Sequence, residues 1–392
     1  MEKLLQKAVA MQGLIKRSLP VGPLHKWVEQ HSIAHELADS VSELLPCVIP
    51  VHVPETSSTP DVGHTFRTVA WNVDRGKKTD EIIAELQTHP DLKDTDFLLL
   101  TETDWGMARS GNRDVTGDIA RALGMYGWFA PSYLNLTTGH GAERAKGGEN
   151  KYGLHGNSIL SRYPLENLRV VKLKNATDKF RSIEVRLGQQ TVLMGDFKCA
   201  NQTLSLACIH LDAYSSQRQR ANQLRTVLEA LPSNHAVLIG GDFNTSTYNA
   251  KHSFYTGLGL IYKTLFFGPA RIMRNHYLHP YKRFDKPVFQ ELERFGYNYR
   301  DCNEMGVGTF DIVLGDDNMR SMASDKFPRI VEKYVEWAIG LNGGACSTRL
   351  DWFAARHIQP KTSKVVRLTD GTSNHIKKRL SDHHPIALQF QL

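Results

Sequence analysis

The segment Ala236-Val237-Leu238-Ile239-Gly240-Gly241-Asp242-Phe243-Asn244 constrains this chain more than any other. An apolar run closed by a glycine pair reads as a buried strand. A carboxylate and an amide two residues apart at its exit are expected on one side, because side chains alternate along an extended segment. Asp and Asn are poor core residues but good partners for a hard cation or an attacking water. A second polar cluster, Ser381-Asp382-His383-His384-Pro385, also leads into a predicted strand. Two such strand ends point to metal-assisted hydrolysis on an α/β frame.

The chain has 392 residues, 41% hydrophobic and 23% charged, which is a globular composition with no sign of global disorder. A net charge of +7 favours acidic partners such as nucleic acid or anionic head groups, and fits equally a soluble enzyme with a basic surface. Five scattered cysteines without a C-x-x-C pair argue against a disulfide framework and a thiolate zinc site. Charges interrupt the first residues, so they do not read as a secretory signal. The apolar stretch Leu44 to Val53 is broken by Pro46 and Pro50 and is too short to span a bilayer. A cytoplasmic, reducing location without a transmembrane segment is the expectation. Oligomeric state is left open.

Residues 1–60 read as an N-terminal helical extension and linker, with apolar stripes at Leu4, Leu5, Val9, Leu14, Ile15 and at Ile33, Leu37, Val41, Leu44. Packing on the main domain is the leading expectation for this extension; Lys3, Lys7, Lys16 and Arg17 leave an anionic membrane surface or a partner helix as the other. Residues 61–392 form the expected catalytic domain. Predicted strands fall near 65–73, 96–102, 126–134, 155–162, 165–173, 180–187, 203–211, 236–242, 308–314, 349–355, 363–368 and 384–391. Helices are predicted from Thr79, over 116–125 and over 215–231. Strand runs with few helices predict a four-layer α/β sandwich, two packed mixed β-sheets flanked by helices.

Several predicted strands carry polar residues at or beside their ends: Asn72, Glu102, His210, Asp242, Asp351 within its strand, and Asp382-His383 before the last. If these ends converge, they form an oxygen-rich pocket with two imidazoles, suited to Mg²⁺ or Mn²⁺ rather than zinc. No H-x-H or H-E-x-x-H spacing supports zinc chemistry. The ordered set Trp71-Asn72, Thr101-Glu102, Gly156-Asn157-Ser158-Ile159-Leu160-Ser161-Arg162, Ile209-His210-Leu211, Gly241-Asp242-Phe243-Asn244, Arg349-Leu350-Asp351-Trp352 and Ser381 to Pro385 resembles the endonuclease/exonuclease/phosphatase superfamily. The resemblance implies that Asn72, Glu102 and Asp382 hold the cation. It implies that Asp242 activates the water, that Asn244 and His210 contact the phosphate, and that His383 paired with Asp351 stabilises the developing charge. It further implies that Asn157 lines the cleft.

Three arginines are candidate phosphate contacts. Arg109 and Arg113 lie in the loop from Gly106 to Asp114, and Arg181 leads a predicted strand. Gly195-Asp196-Phe197-Lys198 imitates the opening motif, and Asp196 is expected to serve a hairpin turn. His384 is expected to be structural. The substrate is less legible. Thr103-Asp104-Trp105 departs from the pattern of abasic endonucleases, and Arg349-Leu350-Asp351-Trp352 from that of inositol 5-phosphatases. A basic aromatic stretch over 262–300 suits stacking on bases and tracking a phosphate backbone. A nuclease is therefore the leading expectation. A lipid or small-molecule phosphoesterase, like a sphingomyelinase or an inositol phosphatase, is the second, and a catalytically silent nucleic-acid-binding module the third.

Overall fold

The computed structural model describes Gln6, Val9, Ala10, Gln12, Leu45 and residues 47–392, except 57–58, 62, 140–141, 146, 183, 248–267, 269–270, 315–328 and 369–378. Most of the expected helical extension lies outside these residues, as does the start of the basic aromatic stretch.

Among the described residues, fifteen strands follow one another in chain order. They are β1 (Ile49–His52), β2 (Phe66–Arg75), β3 (Phe97–Trp105), β4 (Tyr126–Asn135), β5 (Leu154–Ser161), β6 (Glu166–Lys172), β7 (Arg186–Gly188) and β8 (Thr191–Cys199). The others are β9 (Gln202–His210), β10 (Ala236–Asp242), β11 (Phe310–Val313), β12 (Ala345–Thr348), β13 (Asp351–Arg356), β14 (Gln359–Val365) and β15 (Ile386–Gln391). One sheet has the order β1-β4-β5-β3-β2-β15-β14 with β7 beside β4; the second has the order β13-β10-β9-β8-β6. Strands β11 and β12 form a separate ribbon. Both sheets are mixed, because β2–β3 and β9–β10 are parallel while their other pairings are antiparallel. Parallel neighbours need a crossover, and helices α1 (Thr79–Thr88) and α3 (Gln217–Ala230) lie in the two connections.

Side-chain alternation builds the layers. Leu204, Leu206 and Cys208 of β9 pack with Phe66, Ala70, Phe97 and Leu99 of the first sheet, forming the core between the sheets. Ala207 and Ile209 point the other way, onto Leu224, Val227 and Leu228 of α3 and Val288 and Phe289 of α4 (Lys286–Arg294). On the far side, Val69, Trp71 and Leu98 pack against Ile82 of α1 and Ile119 of α2 (Val115–Leu123). The result is the expected sandwich with helices outside two sheets. Each apolar side chain removed from water contributes about 1.5–3 kcal/mol, so these three layers dominate the stability.

Some expectations change. Strand β1, placed by sequence in the extension, pairs with β4 and buries Ile49, so the sheet begins before residue 61. The strand expected over 180–187 is a 3₁₀ turn at Lys179–Arg181 followed by the short β7, so Arg181 lies in a turn. Strand β14 starts earlier than expected, because its Gln-Pro-Lys-Thr-Ser-Lys sequence is an exposed edge with little apolar signal. Asp196 lies inside β8 opposite Ser205, whose hydroxyl donates to it at 2.6 Å; the turn itself falls beyond Cys199. No helix among the described residues is long and apolar enough to cross a membrane.

Candidate active site

The same alternation that builds the inter-sheet core carries polar groups to its end. In β10, Ala236 and Leu238 face the opposite sheet, and Asp242 shares their parity. His210 shares the parity of Cys208, and Asp351 that of Phe353. Register then aligns them, since Asp242 pairs with His210 on one side and with Asp351 on the other. Three chemical groups therefore occupy one rung of the second sheet. In the first sheet, Asn72 has the parity of Ala70 and faces that rung.

Glu102 reaches the site differently. By parity with Leu100 it belongs on the helical face. A register irregularity follows Leu100, and Glu102 adopts φ +57°, which re-aims its side chain at Asn72. Asn72 Nδ2 donates to Glu102 Oε1 at 3.2 Å and to Asp242 Oδ2 at 3.2 Å, joining the sheets. Its Oδ1 accepts from the Asp74 amide at 3.1 Å. Burial alone would raise the Glu102 carboxyl, but Arg75, 3.8 Å away, and the nearby histidines hold it far below the usual range.

His383 Nδ1 lies 2.7 Å from Asp351 Oδ2, and its Nε2 faces Asp242 Oδ2 at 3.9 Å. His210 Nε2 approaches the same Asp242 oxygen at 3.6 Å. Burial lowers the His383 imidazole, yet Asp351 and Asp242 outweigh it and keep the ring protonated well above its ordinary range. Burial, reinforced by Asp351 and opposed by His383, pushes the Asp242 carboxyl up to about 6. Asp382 also rises to about 6, through burial and the neighbouring Asp74 and Glu102 carboxylates. Gly241 adopts φ +137°, and a Cβ there would meet the Ile209 carbonyl oxygen at 2.1 Å. Only glycine brings Asp242 to this position.

Asp242, Asp351 and His383 place ligand atoms within 4.8 Å of one another, as a metal centre would. Asp351 and His383 are already bonded to each other, however, and an imidazole is the softer donor. The oxygen donors Asn72, Glu102 and Asp382, with Asp74 beside them, fit a hard divalent cation better. Their crowded carboxylates, with Asp74 buried and Glu102 and Asp382 half-buried, are the chemistry that a cation would neutralise.

Not every expected residue joins this group. Phe243 and Asn244 lie beyond β10, and Asn244 has φ +49°, so simple alternation with Asp242 fails. Its backbone N–H instead donates to Asp242 Oδ1 at 2.8 Å, and its amide donates to the Leu211 carbonyl at 2.9 Å. Asn157 is buried, and its amide donates to the Thr191 carbonyl at 2.7 Å, bridging the sheets. Arg109, expected at a phosphate, is engaged with carboxylates instead. Its side chain is 1% exposed and bonds Asp104 twice, at 2.7 and 2.9 Å, and Glu184 at 2.6 Å. Arg113 is committed to Asp118 at 2.6 Å and Asp80 at 2.8 Å, linking α1 to α2.

Sequence reading gave no role to Asp74, Arg75 or Thr309, and named Ser381 only as part of its motif. Ser381 Oγ donates to the Asn72 carbonyl at 2.6 Å, tying the last motif to β2. Arg349, whose motif was visible, lies buried under Asp351. It donates to the carbonyls of Asp351, Glu304 and Val307 and to Asn303 Oδ1, and burial pushes it down to about 10.

The chain is similar to an endonuclease/exonuclease/phosphatase from Beutenbergia cavernae (15% identity, 84% of this chain and 72% of that one, TM-score 0.47). It is similar to a family protein from Leptotrichia buccalis (13% identity, 83% and 100%, TM-score 0.47). The human Nocturnin catalytic domain is another (13% identity, 88% and 96%, TM-score 0.44). No curated protein matches the sequence. The model of the Endonuclease/Exonuclease/phosphatase family matches residues 69–383, a span that holds every residue of the rung and its partners. The chain belongs to this family, whose members typically hydrolyse phosphoric esters and are generally divalent-metal dependent.

Proposed function

We propose that this chain hydrolyses a phosphodiester with Mg²⁺ or Mn²⁺, and that its substrate is a nucleic acid. The observation that carries the reading is the junction of the sheets, where Asn72 bonds both Glu102 and Asp242 in front of the His383–Asp351 pair. Asn72, Glu102 and Asp382, with Asp74, would hold the cation, which when bound supplies Lewis-acid activation of the phosphoryl group.

In this reading Asp242 orients the attacking water and takes its proton. A buried carboxyl raised toward neutrality is a better base for that step than an exposed one. His383, fixed by Asp351, donates to a phosphoryl oxygen as charge builds there, and His210 donates to a second. Asn244 acts through its backbone, holding Asp242 in line. The domain that does this includes β1, with the remaining N-terminal residues as an extension.

Nucleic acid is favoured by the rim. Arg271, Arg274, Lys282 and Arg283 are exposed on a segment stitched to the site. Its Tyr277 carbonyl accepts from Arg349 N at 3.0 Å, and its Asp285 from Ser246 N at 2.8 Å. Cations beside a hydrolytic cleft suit a polyanionic backbone.

The test is a panel of single- and double-stranded DNA, RNA, an abasic duplex, phosphoinositide and sphingomyelin, each with Mg²⁺, Mn²⁺ or EDTA. Nucleic acid should be cleaved only with the cation, and not by Asp242→Ala. Metal-independent turnover, or normal turnover by His383→Ala, refutes the mechanism. Cleavage of a lipid alone refutes the substrate.

A further inference from the structure

The Asp351–His383 pair is assembled from segments that no strand pairing joins directly. Asp351 opens β13 in the second sheet, and His383 precedes β15 in the first. Asp351 Oδ1 is buried without a hydrogen-bond partner, so among the described residues His383 is the one hydrogen-bond partner of its carboxylate. The alignment of the pair therefore depends on how the two backbones are held.

One residue touches both. The Thr309 hydroxyl accepts from Leu350 N at 3.0 Å and from Asp351 N at 3.1 Å. The Thr309 carbonyl accepts from His384 N at 2.7 Å, and Thr309 is fully buried. Its own N–H donates to the Thr348 carbonyl at 2.8 Å, anchoring it to the strand that runs into Arg349 and Asp351. The next two residues extend the grip. Phe310 bridges to His383 and sets its ring edge-on to the imidazole at 5.0 Å, while Asp311 accepts from His384 Nε2 at 3.0 Å.

We propose that Thr309 is a positioning residue, whose hydroxyl and carbonyl together set the distance and angle of the Asp351–His383 hydrogen bond. It touches neither substrate nor cation. It acts by fixing one backbone to its hydroxyl and the other to its carbonyl, so that the imidazole presents Nε2 toward Asp242. A valine has the same shape but no acceptor, leaving two buried N–H groups unsatisfied at the base of Asp351. A serine keeps the acceptor.

The catalytic consequence rests on the hydrolytic reading; the structural one does not. In Thr309→Val, kcat should fall about tenfold to a hundredfold with KM unchanged, since small misplacements near the reacting groups have effects of this size. Thr309→Ser should restore it. Independently, the His383 Nδ1 proton is followed by ¹H NMR in metal-free protein and assigned by its loss in His383→Gln. Thr309→Val should move this resonance upfield and speed its exchange with water, and Thr309→Ser should return it. If Thr309→Val does not fold, Asp311→Asn loosens the same ribbon from its half-buried side and should shift the resonance in the same direction. A folded valine variant, or the Asp311 variant in its place, with the wild-type resonance overturns the proposal. If the wild type cleaves nothing, the hydrolytic reading fails while the proton still decides the positioning role.

Discussion

Replacing Arg109 tests whether it is a buried cross-link or a substrate contact. Its guanidinium bonds Asp104 through two nitrogens and Glu184 through a third, with Glu143 at 3.5 Å and His155 at 3.3 Å. Burial alone would raise the Asp104 and Glu184 carboxyls, but Arg109 overrides it and holds both down. Arg109→Met deprives two buried carboxylates of their main partner, leaving His155 to Asp104 and Arg186 to Glu184. Removing one partner of a buried pair costs about 3–5 kcal/mol. Arg109→Lys keeps the charge, loses the fork, and should cost about half as much.

The sign of the pH dependence follows from the same groups. In the wild type both carboxyls titrate below their unfolded values near 4, so their contribution is present above about pH 4 and is lost as pH falls through the folded values. In Arg109→Met they lose their largest counter-charge and keep only His155 beside Asp104 and Arg186 beside Glu184, so burial raises their folded values. That cost grows as pH climbs past 4. Urea unfolding of metal-free protein should therefore show a deficit that widens from about pH 5 to about pH 8. The folded variant should keep its KM for any cleaved phosphoester. A variant with wild-type stability and a raised KM would refute the argument and return Arg109 to the substrate.

Gly241→Ala forces a Cβ to within 2.1 Å of the Ile209 carbonyl at φ +137°. It should lose at least about 3 kcal/mol by denaturant titration and most of its activity. Asp351→Asn preserves volume but weakens the hold on His383 Nδ1; kcat should drop about 10²-fold or more with little change in KM, measured at saturating cation. Asp196→Asn, in the imitation of the opening motif, alters a side chain whose hydrogen-bond partners among the described residues are Ser205, Asn167 and Arg169. It should cost about 1 kcal/mol of stability and leave turnover unchanged.

The opening motif was legible because its strand is apolar on both faces and its exit is not. The family resemblance supplied the grouping of the other segments. Their physical alignment was not legible, because it is a property of register between strands far apart in the sequence. His210, Asp242 and Asp351 share a rung through pairings that no local pattern encodes. Glu102 was singled out from the sequence although its parity points away from the site; the irregularity that turns it has no sequence signature. Arg109 misled because a glycine-rich polar loop looks solvated, and its burial depends on Asp104 and the distant Glu184. Strand β14 was misplaced because an exposed edge carries few apolar residues.

Because the three groups of the rung descend from one backbone ladder, they cannot drift independently. A point change in a connecting loop leaves their spacing untouched. Loss of a single residue inside β10 would instead swing Asp242 onto the helix-facing side and pull its neighbours out of line together. Damage to this centre should thus be graded at its rim and all-or-none along β10, a pattern that a deletion scan of that strand would expose.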